Sequence, residues 1–275
     1  MSASLPAQSL SAVAARLRSA GCVFAEDEAR LLIAAAQTPA ELTALVQRRA
    51  AGQPLEHVLG WAEFCGLRIA VDPGVFVPRR RTEFLVGQAA SLLGPAPRPV
   101  IVDLCCGSGA LGLALAAAAG RPVDLHAADV DPAAVRCARR NVLPAGGHVY
   151  QGDLTGPLPA GLRGRVDVLL ANVPYVPTGD VALLPAEARE HEARVALDGG
   201  PDGLQVLRRV TAVAPAWLAP GGHVLTEISD RQAAAATAAA AAAGLVPRLA
   251  RSAELGATVL IAAGQAGRHA VRAAG

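Results

Sequence analysis

Residues 100–112 read Val-Ile-Val-Asp-Leu-Cys-Cys-Gly-Ser-Gly-Ala-Leu-Gly. A run of β-branched and aliphatic residues ends in an acid, passes through glycines and continues as an alanine- and leucine-rich segment. This order restricts the chain to few architectures: a strand buried on both faces that hands over directly to a helix, the unit of a parallel α/β sheet. Gly107 and Gly109 permit a tight turn and a close approach of backbone to a ligand, and the free N–H groups at the helix start face that ligand. With Gly112 they also satisfy G-x-G-x-x-G, the dinucleotide pattern. Asp103, four residues before Gly107, separates two readings. A pyrophosphate gains nothing from a carboxylate there, whereas a ligand with an ammonium group and a sulfonium does. The stretch favours S-adenosylmethionine over a nicotinamide or flavin dinucleotide.

The downstream strands extend that reading. A second strand over Asp124–Ala128 ends at Asp129, about twenty residues past the glycines, where a ribose diol is held in such folds. Asp131-Pro132 then caps and starts a helix. A third strand, His148–Gln151, ends in Gly152-Asp153, and Asp153 is placed to accept from an adenine amino group. Val130 and Leu154, next to these acids, and Cys105 in the glycine loop complete the expected cofactor set. The fourth strand, Val166–Ala171, ends in Asn172-Val173-Pro174-Tyr175. Here an asparagine side-chain oxygen and the Val173 carbonyl, extended by the following proline, can each accept one N–H of a planar NH2 group. This clamp suits methyl transfer to an amide or an exocyclic amine and has no evident use in hydride transfer. A fifth strand is expected at His223–Ile228. The tract Ala233–Ala243 is a helix closed by Gly244, and strands near Leu245–Ala250 and Ala257–Ala262 finish the sheet.

Composition narrows the classes further. All 25 basic residues are arginine and there is no lysine, which removes P-loop kinases and pyridoxal-phosphate enzymes. The formal net charge of +2 is too small for nonspecific nucleic-acid binding as the main activity. Five cysteines without C-x-x-C spacing favour a reducing cytoplasm and predict no metal site. Cys105 and Cys106, with no histidine nearby in sequence, are expected to pack rather than to act as nucleophiles. No membrane-spanning segment or signal peptide is expected.

Before the glycine loop, Ser9–Arg18 and Glu26–Ala36 carry apolar residues at helical spacing. Thr38-Pro39-Ala40-Glu41 is a capping box that starts a third helix. Gly66–Val77 is expected to form a β-hairpin around Asp72-Pro73-Gly74. Arg79, Arg80 and Arg81 follow, a solvated cluster or a contact for an anionic partner, and Thr82 is available as the cap of the next helix.

These residues together resemble the HemK family of protein-glutamine N5-methyltransferases, among the class I S-adenosylmethionine-dependent enzymes. Gly52-Gln-Pro-Leu, Gly60, Glu63-Phe64, Val77-Pro-Arg79 and Thr82-Glu83 look like the family's linker. Asp103 with the glycine loop, Asp129, Asp153, the Asn-x-Pro-Tyr clamp, Ala196-Leu-Asp-Gly-Gly200, Asp202-Gly-Leu204 and Glu227 match its catalytic domain. The resemblance implies an α/β doubly wound, seven-stranded methyltransferase sheet over residues 79–275. It is preceded by a helical substrate-recognition domain (1–62) and a β-hairpin linker (63–78). It implies S-adenosylmethionine as donor and S-adenosylhomocysteine as product. Asn172, Val173, Pro174 and Tyr175 become the catalytic clamp, and Arg79, Thr82, Asn172 and Tyr175 the substrate contacts. The expected partner is a protein substrate, a translation release factor, and the expected state is a monomer. The departures fall on the substrate side. Val173 stands at the first proline of Asn-Pro-Pro-Tyr, Arg80 and Arg81 replace a proline and an acid, Ala193 stands where proline is common after Glu192, and Ser229 where glycine often follows the glutamate. Two alternatives therefore accompany the main reading: a paralogue acting on another protein, and methylation of an exocyclic amine in nucleic acid.

Overall fold

The computed structural model describes residues 9–264; the first and last residues of the expected outer segments, 1–8 and 265–275, lie outside the described residues. Three helices open the chain: α1 (Leu10–Ser19), α2 (Ala25–Ala35) and α3 (Pro39–Ala50), followed by the short α4 (Leu55–Leu59). Their apolar stripes, including Val13, Leu17, Leu32, Leu42, Val46 and Val58, meet in a core of their own. Thr38 caps α3 by accepting from Glu41 N–H at 3.1 Å. The Glu41 carboxylate reaches Gln37 N–H at 2.7 Å rather than the Thr38 N–H, so half of the expected box forms.

The hairpin is displaced from its expected place. Strands β1 (Trp61–Phe64) and β2 (Leu67–Ala70) pair antiparallel with Phe64 opposite Leu67. The turn is Cys65-Gly66, with φ of 50° and 72°, the two left-handed residues that a tight hairpin of this length requires. Asp72-Pro73-Gly74 does turn, with Val75 N–H donating to Asp72 C=O at 3.1 Å, but it directs the chain away from the hairpin. A cysteine in the first turn position carries no turn signal, whereas Asp-Pro-Gly carries a strong one.

After α5 (Glu83–Ala90) the chain alternates β3 (Val100–Leu104), α6 (Ala110–Ala118), β4 (Asp124–Asp129), α7 (Pro132–Val142), β5 (His148–Gln151) and β6 (Val166–Ala171). A loop carrying α8 (Ala186–His191) leads to α9 (Gln205–Val213), β7 (Leu218–Ile228), α10 (Ala233–Ala242), β8 (Val246–Ser252) and β9 (Ala257–Ala263). The seven strands order as β5-β4-β3-β6-β7-β9-β8. β9 runs antiparallel to both of its neighbours and the β5-to-β7 part is parallel. Side chains alternate between two apolar layers: Ile101 and Leu170 pack toward α5 and α6, while Val102 and Leu169 pack toward α9 and α10. This is the doubly wound methyltransferase sheet. Its order reverses between β3 and β6, so the loops leaving these adjacent strands diverge and open a crevice at their carboxyl ends.

Candidate active site

That crevice is a cavity of about 600 Å3, within the range of small-ligand sites. The glycine loop forms one wall. Gly107 and Gly109 take φ of 55° and 78°, and a Cβ on Gly109 would stand 2.7 Å from Val142 Cγ2 of α7. The second glycine is therefore required by helix packing as much as by the turn. Cys105 and Leu154 also hold left-handed backbone, at φ 54° and 48°, a strained conformation for side-chain-bearing residues that collects at functional loops.

Most residues expected from the sequence meet in this cavity. Cys105, Gly107, Asp129, Val130, Asp153 and Leu154 line it from the β3, β4 and β5 ends. Asn172, Val173, Pro174 and Tyr175 line it from the end of β6, and Arg79 from the linker. Both Asp129 oxygens are engaged by the loops, Oδ2 by Gly107 N–H at 2.8 Å and Oδ1 by Asp131 N–H at 2.9 Å. Burial raises its carboxyl above the ordinary value against those two bonds. Asp153 sits at the rim, paired with Arg209. Burial likewise pushes the Cys105 and Cys106 thiols up, so neither is a ready thiolate.

Three expected ligand residues stand behind the wall instead. Asp103 is 1% exposed, and its Oδ2 accepts Gly112 N–H at 2.8 Å. Its carboxylate holds the start of α6 against β3, and burial pushes its pKa up to about 8. Gly109 faces α7. Thr82, expected to cap α5 or to touch substrate, has helical backbone and caps nothing; its hydroxyl donates to Glu227 Oε2 at 2.6 Å. Each is committed to an internal contact instead: Asp103 to the start of α6, Gly109 to α7 and Thr82 to the buried Glu227.

The clamp is anchored from several elements. Asn172 Oδ1 is buried and makes no hydrogen bond among the described residues. Val173 is 1% exposed, and its carbonyl accepts no bond among the described residues. Tyr175 is fixed at both ends. Its carbonyl accepts Gln232 Nε2–H at 2.8 Å, and its hydroxyl donates to Glu227 Oε1 at 3.1 Å and accepts from Arg81. Burial first, and then the Glu227 carboxylate, push the phenol pKa up. Arg81 Nε in turn donates to Glu227 Oε1 at 2.8 Å. The arginine triplet is thus split: Arg79 and Arg81 line the cavity, whereas Arg80 is exposed and unpaired among the described residues.

Sequence reasoning did not anticipate the cover of the site. The loop from Thr178 to Asp198, with α8, contributes Leu184, Glu187, Glu192 and Val195 to the cavity. Glu187 Oε1 accepts Arg49 Nη1–H at 3.0 Å, while Arg49 also grips Glu28 at 2.6 Å, so the N-terminal helices hold this cover directly. Glu192 accepts from Arg79 and, at 3.3 Å, from Val77 N–H, and its Oε2 is buried without a partner among the described residues. Burial raises its carboxyl despite the Arg79 guanidinium. These acids carry no local motif; the one signal was Glu192 beside the Ala193 departure.

A family model described as the methyltransferase small domain matches residues 66–209. The release factor glutamine methyltransferase of Geobacter sulfurreducens is 40% identical over 201 residues, covering 71% of this chain and 68% of the relative. That of Mycolicibacterium smegmatis is 42% identical over 214 residues, covering 76% and 74%. The crystal structure of a methyltransferase from Pyrococcus furiosus is similar in fold, with a TM-score of 0.53 and 18% identity over 81% of this chain and 98% of that one. A glycine loop and an Asn-Val-Pro-Tyr clamp facing one cavity at the switch point of a methyltransferase sheet, together with these relatives, establish that the chain belongs to the HemK family of release factor glutamine methyltransferases.

Proposed function

We propose that the protein transfers a methyl group from S-adenosylmethionine to the side-chain amide nitrogen of a glutamine in a protein, a release factor by the names of its relatives. The observation that carries this reading is the buried Asn172 Oδ1, which has no partner in the wall of the cavity. An unpaired buried acceptor costs about 1–3 kcal/mol, a cost relieved when a ligand donates to it. The carbonyl of the next residue, Val173, also accepts no bond among the described residues, which supports reading the two as acceptors for the two N–H bonds of one primary amide.

The cavity fits the donor as well. When bound, S-adenosylmethionine supplies an electrophilic methyl group. Asp129 is the residue to accept from its ribose, and Asp153 from its adenine, while the acids of this wall favour a cation. An amide nitrogen is a poor nucleophile because its lone pair is delocalised. Asn172 and Val173 orient that nitrogen and stabilise the positive charge that develops on it. Tyr175, locked by Glu227 and Gln232, closes the clamp; the methylated nitrogen, strongly acidic while cationic, gives up its proton to water, so no side chain is needed as general base. In this reading the helices before Gly60, held to the cover through Arg49, recognise the macromolecule. The test is incubation of the protein and labelled donor with an extract lacking this enzyme. Label at a glutamine of a protein is the expected result; label in RNA would overturn the reading.

A further inference from the structure

We infer that Arg49 is a positioning residue for the reaction: from the N-terminal helices it fixes α8, a wall of the cavity that is joined directly to the clamp. The inference rests on the amide-methylation reading and adds what places the substrate half of the site. Helix α8 buries none of its residues, so apolar packing does not decide where it lies. Leu184, Glu187 and Ala188 nevertheless line the cavity. The loop that carries them leaves from the clamp and returns to it. Val176 N–H donates to Leu197 C=O at 3.1 Å, and Gly199 N–H to Val176 C=O at 2.8 Å. A shift of α8 therefore moves a wall whose base is the clamp itself.

The ties that hold this wall come from the chain before the sheet. Just past the helix, Ala193 N–H donates to Gly74 C=O at 3.0 Å, and Glu192 accepts from Arg79 and Val77 N–H of the linker. At the start of the helix, Glu187 Oε1 accepts Arg49 Nη1–H at 3.0 Å. The bonds from the Arg189 side chain, to Ala182 and Glu190, stay within the loop. Arg49 is itself held tightly. Its Nε and Nη2 meet the two oxygens of Glu28 at 2.6 and 3.1 Å, and Nη1 also donates to Gln53 C=O at 2.9 Å. The Arg49 and Glu28 side chains are 11% and 10% exposed, against 44% for Glu187. A guanidinium gripped along its bidentate edge has little freedom left. It acts as a fixed peg for Glu187, and such a pair loses less entropy on forming than two free surface side chains do.

The test uses the full chain and cuts the link from either side. Glu187→Ala cuts it at α8; Glu28→Gln with Arg49→Met cuts it at the helices and strands no buried charge. Hydrogen exchange should quicken at residues 186–193 in both variants and stay unchanged at 100–112. Calorimetric affinity of the helix variant for S-adenosylhomocysteine should also stay unchanged. With a purified release factor as substrate, kcat/KM should fall about tenfold in each, the scale of one lost bond to a charged group. Combining the two should keep the loss at about tenfold instead of about a hundredfold, because both cut one link. Unchanged exchange at 186–193, or unchanged kcat/KM, overturns the inference. Losses that multiply overturn it too, since Glu187 would then meet the substrate itself. If the native protein labels no glutamine while residues 186–193 still loosen in the variants, the amide-methylation reading falls and the placement of the wall by Arg49 stands.

Discussion

Asn172 and Val173 make different demands on the clamp, and substitutions separate them. Asn172→Ala deletes a side-chain acceptor while leaving the glycine loop untouched. Turnover should fall by about 2–4 kcal/mol of barrier, the range for loss of one preorganised group, with donor affinity preserved. Steady-state kinetics beside calorimetry checks this, and full activity would remove Asn172 from the mechanism. Val173→Pro restores the family residue. The Val173 N–H makes no hydrogen bond among the described residues, and Pro174 already holds the backbone extended. Proline therefore removes no bond, keeps the carbonyl, and should cost less than about 1.5 kcal/mol, as volume-conserving swaps do. Loss of activity in this variant would show that the valine side chain itself is read by the substrate.

At the level of elements, the strand–loop–helix unit depends on its two glycines for different reasons. Gly107 has left-handed backbone but open space around its Cα, so Gly107→Ala should cost about 1–2 kcal/mol, the left-handed penalty alone. Gly109→Ala adds the clash with Val142 on α7, worth about 1–3 kcal/mol more. Thermal unfolding of the two variants should rank them in that order, and equal midpoints would contradict the packing argument. The elements themselves were largely legible. Strands β5 and β6 begin and end where the apolar pattern places them, and Asp131 caps α7 as its Asp-Pro pair requires. The hairpin was not legible, because its turn depends on Cys65 adopting a conformation that cysteine rarely takes.

For the whole molecule, His57 reports on the seam between the helical segment and the linker. It is buried, and its Nε2 lies 2.8 Å from Val75 C=O, so the neutral ring donates across the seam. Burial lowers its pKa below 6.5. The unfolded chain therefore takes up the proton first as pH falls, and stability that is complete above about pH 6.5 is lost below it. His126 and His223, also lowered by burial, act in the same direction. The His57 contribution is read as a difference: below about pH 6.5 the unfolding midpoint of the protein should fall relative to that of His57→Gln, because the raised carboxyls of Asp103, Asp129 and Glu192, which act in the opposite direction, are common to both. An unchanged difference would place the acid sensitivity elsewhere.

The strand–loop–helix frame of the cavity was determined by sequence alone, because a strand tip, a glycine turn and an acid are local arrangements that backbone sterics and hydrogen bonding impose within a few residues; that Asp103 braces α6 instead of facing the cavity was decided by the packing. Asn172, Val173, Pro174 and Tyr175 were readable on the same ground. Tertiary structure alone decided what stands around them. Glu187 and Gln232 come from distant segments with no motif of their own, and Glu192 and Glu227 were marked only by the family resemblance, with no contact assigned to them. Their significance lies in meeting Arg79, Tyr175, Arg49 and the clamp carbonyl, three of them as buried groups and Glu187 as a half-exposed one, and such meetings are a property of the packed chain. It also divided three adjacent arginines into two that face the cavity and one that faces water, because the 3-10 turn over Arg80–Thr82 points successive side chains in different directions.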